Sequence, residues 1–170
     1  MLRINMAAEA AAVRLFAGQQ AVLGDRPDVA YMKEQEGAYL NHLQALAPGY
    51  RARPSLFGPL CSAAGYAVGA ASAVLPRNLA ASVTGAVQDA LSEEYTDQLR
   101  QLHTDRLAAE VGPLRDALRQ LRDHERAPDD GVKAPDIFAL QRPQDLSMEQ
   151  GMAALVKYTF KGLFTLAGRA

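Results

Sequence analysis

The chain has no tryptophan and only one cysteine, Cys61, among its 170 residues. A single cysteine excludes an intramolecular disulfide framework and a cysteine-rich zinc site. It fits a reducing compartment, and the cytoplasm is the expected location. Excess charge is lacking too: 18 basic residues stand against 19 acidic ones, a net charge of −1. With no basic stripe, a nucleic-acid partner is not expected. No apolar run follows Arg3, so the opening residues do not read as a signal peptide. One run, Pro54 to Pro76, has no charge at all and is long enough to cross a bilayer. It is built mostly of Ala, Gly and Ser and is interrupted by Pro59, and such residues gain little from lipid. The expectation is a close-packed buried helix, with Gly65-x-x-x-Gly69 permitting close approach of a neighbour.

What the chain does have is helix-forming composition. Hydrophobic residues make up 49%, and Ala, Leu, Gln, Arg and Glu are plentiful while alternating β-type runs are scarce. Turn residues divide the helical signal. A first helix is predicted over 4–23, closed by Gly24. Asp25-Arg26-Pro27 makes a turn, and Pro27 opens a second helix that runs to about residue 46, before Pro48-Gly49. Arg51 to Pro54 reads as an extended crossover. The small-residue helix follows over about 56–75, and Pro76 ends it. Asn78 is placed to cap a helix over 79–102. A fifth is expected over 105–126, kinked or starting late at Gly112-Pro113. Pro128, Gly131, Pro135 and Pro143 mark a loop, and a last helix covers 148–167. Roughly six helices in one domain, 1–170, with two long pairs joined by a crossover, give an all-α bundle of the kind seen in ferritin-like folds.

Such bundles can hold a di-iron carboxylate centre. The centre takes one Glu from each of two helices and a Glu-x-x-His pair from each of the other two, because i and i+3 share a helix face. Glu9 stands alone among alanines, where it is either a solvated carboxylate or an inward one. Glu36 follows on the second helix, but residue 39 is Tyr. On the fourth helix Gln88-Asp89 lies in an apolar run, and Glu93 and Glu94 read as a solvated face. On the fifth, Glu125 stands beside His124, but residue 128 is Pro. Neither Glu-x-x-His pair is complete, and these residues alone give a helical bundle of unassigned function.

The order of the motifs carries more. Arg3-Ile4-Asn5-Met6-Ala7-Ala8-Glu9, then Ala17-Gly18-Gln19, resembles Arg-x-Asp-His-Ala-Gly-Glu followed by Ala-Gly-Gln. Met32 and Gln35-Glu36-x-x-Tyr39-Leu40 is similar to Met-x-x-Gln-Glu-x-x-His-Leu. Arg51-x-Arg53-Pro54-Ser55 resembles Arg-x-Arg-Pro-Thr. Ala86-Val87-Gln88, with Tyr95 and Gln98 after it, resembles Ala-Val-Glu, Tyr and Gln. Arg122-Asp123-x-Glu125-x-x-Pro128 resembles Arg-Asp-x-Glu-x-x-His. Together, from Arg3 to about Leu140, these resemble the demethoxyubiquinone hydroxylases, ferritin-like di-iron monooxygenases of ubiquinone biosynthesis.

The resemblance implies iron as cofactor, a quinone lipid as ligand and ubiquinone-biosynthesis proteins as partners, on or near a membrane surface. It places the family's six ligand positions on Glu9, Glu36, Tyr39, Gln88, Glu125 and Pro128. Three keep glutamate; both histidines and one carboxylate are replaced. Tyr39 still offers a phenol and Gln88 a neutral carbonyl oxygen, whereas Pro128 has no donor in its side chain. His124 is expected to point about 100° away from Glu125. The glutamates are expected to be protonated or to bond to Tyr39 and Gln88, a neutral stand-in for the metal cluster. Three functions follow as expectations: a catalytically impaired relative that keeps a quinone-binding or accessory role, an active hydroxylase with an altered iron site, or a structural helical protein acting through a homo-oligomer or partner. The last helix, with Leu155, Val156, Phe160, Phe164 and Leu166 beside Lys157 and Lys161, reads either as an interfacial surface or as ordinary core.

Overall fold

The computed structural model describes residues 1–104, 111–125, 134–136 and 146–169. Among them are six helices and no strand: α1 Leu2–Leu23, α2 Pro27–Leu46, α3 Gly58–Ala73, α4 Arg77–Thr104, α5 Gly112–Glu125 and α6 Met148–Arg169. The architecture is all-α, a ferritin-like helical bundle. Its punctuation follows local chemistry. Gly24 closes α1 at φ 74°, a left-handed backbone that favours glycine, and Pro27 opens α2 at its first position. The α5 helix starts late, at Gly112. The expected capping by Asn78 does not occur: α4 begins one residue earlier, at Arg77, and the Asn78 amide donates to Glu149 at the start of α6 (2.8 Å).

The core centres on α1. Its buried Ala7, Ala8, Ala11, Ala12, Leu15 and Phe16 meet α2, α3 and α6. Small residues let α3 lie almost backbone to backbone along α1. A Cβ added at Gly65 would sit 2.1 Å from the Ala11 carbonyl oxygen, and one at Gly69 would sit 1.9 Å from that of Leu15. Both contacts advance by four residues, so the two helices run parallel, with α3 filling the groove that the alanines of α1 leave open. Only this face of α3 is buried. Leu60, Ala63, Ala67 and Val74 on the other face are exposed, so the charge-free run is a half-covered helix rather than the fully buried one expected. Among the described residues, no helix is long and apolar enough to cross a membrane.

The last helix corrects the interfacial reading of its lysines. Val156, Phe160 and Phe164 face the core, and only Leu155 and Leu166 of that apolar set stand exposed. Lys157 turns inward instead of toward lipid. It donates to Asp89 (2.8 Å) and Glu93 (2.6 Å) on α4, and Lys161 donates to Glu93 (2.9 Å). Burial alone would lower the Lys157 pKa, but the hydrogen bonds it donates to these two carboxylates, with their charge, more than offset it and raise the value. Lys157→Met should therefore cost about 1–2 kcal/mol, because it strips charge-assisted bonds from a nearly buried ammonium. Lys161→Met, at a more exposed pair, should cost about 0.5 kcal/mol or less. Urea denaturation of the two variants checks the difference, and equal losses would contradict it.

Candidate metal centre

Four helices deliver acidic or amide side chains to one point in the bundle. Glu9 of α1, Glu36 of α2 and Glu125 of α5 are each 0% exposed. Gln88 of α4 borders, with Glu36 and Glu125, a void of about 10 Å³ otherwise walled by Thr84 and by apolar residues such as Leu15, Phe16 and Leu91. The spacing explains the convergence. Glu9 lies on the alanine face that α1 turns inward, and Glu125 extends the buried Leu114, Leu118, Leu121 stripe by one turn.

Tyr39 comes to the same place but not as a hydrogen-bond partner. Its ring packs against the His124 imidazole, 4.6 Å between centroids and tilted by 50°. Burial, then the charges of Glu36, Glu125 and Glu9, push its phenol pKa up, so the phenolate form is disfavoured. Pro128 lies outside the described residues.

The expected bonding of the glutamates to Tyr39 and Gln88 is not found. Tyr95 of α4 takes that place: its hydroxyl donates a short hydrogen bond to Glu9 Oε1. The remaining oxygens, Glu9 Oε2 and both of Glu36 and of Glu125, are buried without a hydrogen-bond donor when the acids are ionised, and only a proton on Glu9 or Glu125 lets either bond to Glu36. Burial, then the charge of Glu36, lifts the Glu9 carboxyl well above the usual carboxylate range, while the Tyr95 bond acts the other way. Glu125 is raised well above that range too, by burial and then by Glu36 and Glu9. Tyr95 is itself lifted, by burial and the neighbouring carboxylates. Hard, unpartnered oxygens from three helices in an apolar enclosure are what a metal cation would neutralise, so the residues present fit a metal ion.

Two further groups join the cluster, only one of which local spacing could have placed. His124 does not point away from the cluster: its Nε2 lies 3.6 Å from Glu36 Oε1. The 100° step from Glu125 takes it toward α2, which flanks α5 on that side. Tyr95 was legible by spacing, since it follows Gln88 by seven residues, two turns along one face. Behind it, the Asn5 and Gln98 amides exchange two hydrogen bonds, 2.9 and 2.8 Å, with Asn5 one turn before Glu9 and Gln98 one turn after Tyr95. Gln98 also donates to Glu94 (2.7 Å). This layer ties α1 to α4 and holds Glu9 in register.

A second feature lies one turn away. A cavity of about 400 Å³ is lined by Met6 and Ala10 of α1, Leu40 and Gln44 of α2, and Pro54 and Ser55 of the crossover. Met6 precedes Glu9 by three residues and Leu40 follows Glu36 by four, so each lies one turn from a cluster carboxylate on its helix. The volume is in the range of small-molecule sites, and a mainly apolar lining with a few polar groups suits an apolar ligand with polar handles.

Fold and site together define a helical-bundle protein with a buried carboxylate centre beside an apolar cavity. The family model described as ubiquinone biosynthesis protein COQ7 matches residues 1–136, and the chain belongs to that family. It is 40% identical over 110 residues to the 3-demethoxyubiquinol 3-hydroxylase of Rhodospirillum rubrum, covering 62% of this chain and 52% of that protein. It is 34% identical over 128 residues to the NADPH-dependent 3-demethoxyubiquinone 3-hydroxylase of Rattus norvegicus, covering 74% of this chain and 58% of that one. The worm counterpart from Caenorhabditis elegans is 33% identical over 150 residues, covering 83% of this chain and 80% of that protein. The match thus spans little more than half the length of the first two relatives.

Proposed function

We propose that the chain binds a quinone lipid of ubiquinone biosynthesis in the 400 Å³ cavity, and that ring hydroxylation by the family's two-iron chemistry is impaired. The observation that carries this reading is the cavity's position one turn from Glu9 on α1 and from Glu36 on α2. Met6, Ala10, Leu40 and Pro54 would enclose an apolar ring and the start of its tail, and Gln44 and Ser55 would meet the ring oxygens. Glu9, Glu36, Glu125 and His124 are the residues that would hold metal. Iron bound in such a centre supplies oxygen activation. What argues for impairment is the donor set: Tyr39 is turned onto His124, and the Gln88 side has an amide where the family has a carboxylate.

A second reading, an active hydroxylase with an altered iron site, draws on one observation, the His124 Nε2 beside the carboxylates. The accessory role would place the chain against pathway proteins, a second copy or the membrane surface through the exposed apolar face of α3.

Saturable binding of a short-tailed demethoxyubiquinone, followed by equilibrium dialysis, tests the reading. Ala10→Leu, which fills the cavity, should weaken binding about tenfold or more, a loss of about 1.4 kcal/mol. Ala67→Leu, on the exposed face of α3, should not. No saturable binding, or equal binding by both variants, would overturn the quinone assignment. Turnover of the iron-loaded protein at the rate of an intact relative would overturn the impairment and leave the second reading standing.

A further inference from the structure

We infer that His124, which belongs to neither Glu-x-x-His position, supplies the imidazole those positions have lost, and that with Glu36 and Glu125 it holds one divalent metal ion per chain instead of a pair. This rests on reading the three glutamates as the remains of a metal centre, and it goes further by naming the donor set and the stoichiometry.

The geometry carries the donor set. One donor atom each from Glu36, His124 and Glu125 lie within 4.8 Å of one another. Donors about 2.1 Å from a common ion stand roughly 3.0 to 4.2 Å apart, depending on the angle between them. The 3.6 Å from His124 Nε2 to Glu36 Oε1 already falls in that span, and the widest separation in the set must close by roughly 0.6 to 1.4 Å, a shift within reach of side-chain rotation. All five of these donor atoms, Nε2 and the four carboxylate oxygens, are buried with no hydrogen-bond partner. An imidazole nitrogen turned toward a buried carboxylate without a full hydrogen bond is a costly arrangement that a shared cation relieves. Two carboxylates and one imidazole also form a donor set suited to first-row divalent ions.

Tyr39 explains how the exchange works. It stands where the family has histidine, and its ring is the surface against which His124 packs. The aromatic ring on α2 thus orients the imidazole that α5 provides. Glu9 adjoins Glu36 and accepts from Tyr95, so it stands at the edge of the same site as a further carboxyl group.

The stoichiometry follows from the other side of the cluster. Toward Gln88, among the described residues, the only charged groups are Glu36 and Glu125 themselves, and the void there is about 10 Å³ with mainly apolar walls. That is about room for one water-sized occupant. A second ion about 3.5–4 Å from the first would need its own donors, and beyond the shared Glu36 and Glu125 the described residues on this side offer only neutral oxygens, the Gln88 amide and the Thr84 hydroxyl, which already accepts from Gln19.

Cobalt(II) titration of the purified full chain under anaerobic conditions tests the inference, read by visible absorption and by stoichiometry. The expected result is one Co²⁺ per chain, with His124→Ala and His124→Gln each weakening binding about 100-fold or more. His42→Ala and His103→Ala, at exposed positions, should leave it unchanged. Because the chain has three histidines in all, imidazole ¹⁵N resonances of the wild-type protein give a variant-free readout: one histidine, and only one, should respond to a diamagnetic ion such as Zn²⁺. Two ions per chain would overturn the stoichiometry, and unchanged affinity in both His124 variants would overturn the role of His124, each while leaving a metal centre in place. No stoichiometric ion in the wild-type protein would overturn the metal centre itself. Neither result bears on quinone binding, which the cavity variant reads separately.

Discussion

Gly69→Ala should destabilise this protein by about 3 kcal/mol, at the upper end for overpacking a core. For a chain of this length that lowers the melting temperature by roughly 6–12 °C. The added methyl would begin 1.9 Å from the Leu15 carbonyl oxygen, and real Cβ contacts are essentially never closer than 3.0 Å, so α1 and α3 must part by about 1.1 Å. Backbone cannot rotate aside as a flexible side chain would, and every other contact along the two parallel helices loosens with it. Gly65→Ala meets the Ala11 carbonyl oxygen at 2.1 Å and should behave alike, and the two changes together should not be additive, because either one already separates the helices. Gly85→Ala is the control: nothing lies within 4 Å of the added carbon in α4, and a helix-interior alanine should stabilise by about 0.5–1 kcal/mol. Thermal unfolding followed by circular dichroism decides the matter, and a Gly69→Ala melt matching the wild type would show that α3 is not held as described. Since α1 also carries Glu9, parting the helices should weaken metal uptake in step with stability.

Glu125→Gln should do the opposite and stabilise the metal-free protein at pH 7. Glu125 has a pKa raised above 4.5 in the folded state, as does Glu9. The folded chain therefore keeps protons that the unfolded chain releases. Stability from these groups is complete below about pH 4.5 and is lost as pH rises toward the folded pKa, at about 1.4 kcal/mol per pH unit for each group. An amide at position 125 removes one such proton and can donate to Glu36. With metal the order should reverse. A divalent ion at about 100 times its dissociation constant adds about 2.7 kcal/mol to the wild type, and the variant, short of one ligand, should gain far less. Urea denaturation between pH 5 and 8, with and without Co²⁺, checks both halves. Wild-type stability that climbs with pH in the absence of metal would contradict the first, and equal gains with metal would contradict the second.

Most of the helical framework was legible in the chain because its signals are local. Gly24 and Pro27 act on their own backbone, and the inward faces of α1 and α5 follow from residue spacing alone. Spacing left Glu9 open between a solvated and an inward carboxylate, and it was the resemblance that singled out Glu9, Glu36 and Glu125 together. The Gly65-x-x-x-Gly69 pair announced a close helix contact, but not that α1 would be the partner. Asn78 shows where local rules fail: an amide suited to capping α4 reached across to Glu149 once α6 was there to receive it.

The sequence by itself determined an all-α bundle, its main breaks and three acidic residues on inward helix faces, since periodicity and turn chemistry operate within a few residues. Tertiary structure alone decided what surrounds those acids. Lys157 reads as a lipid-facing cation until α4 brings Asp89 and Glu93 beside it. His124 reads as a bystander of Glu125 until α2 lies on its flank and sets Glu36 before one side of the imidazole and Tyr39 against its ring. Helical periodicity fixes the angle between neighbours on one helix, but which helix waits at that angle is set by how whole helices pack, and that is decided by contacts distant in the chain.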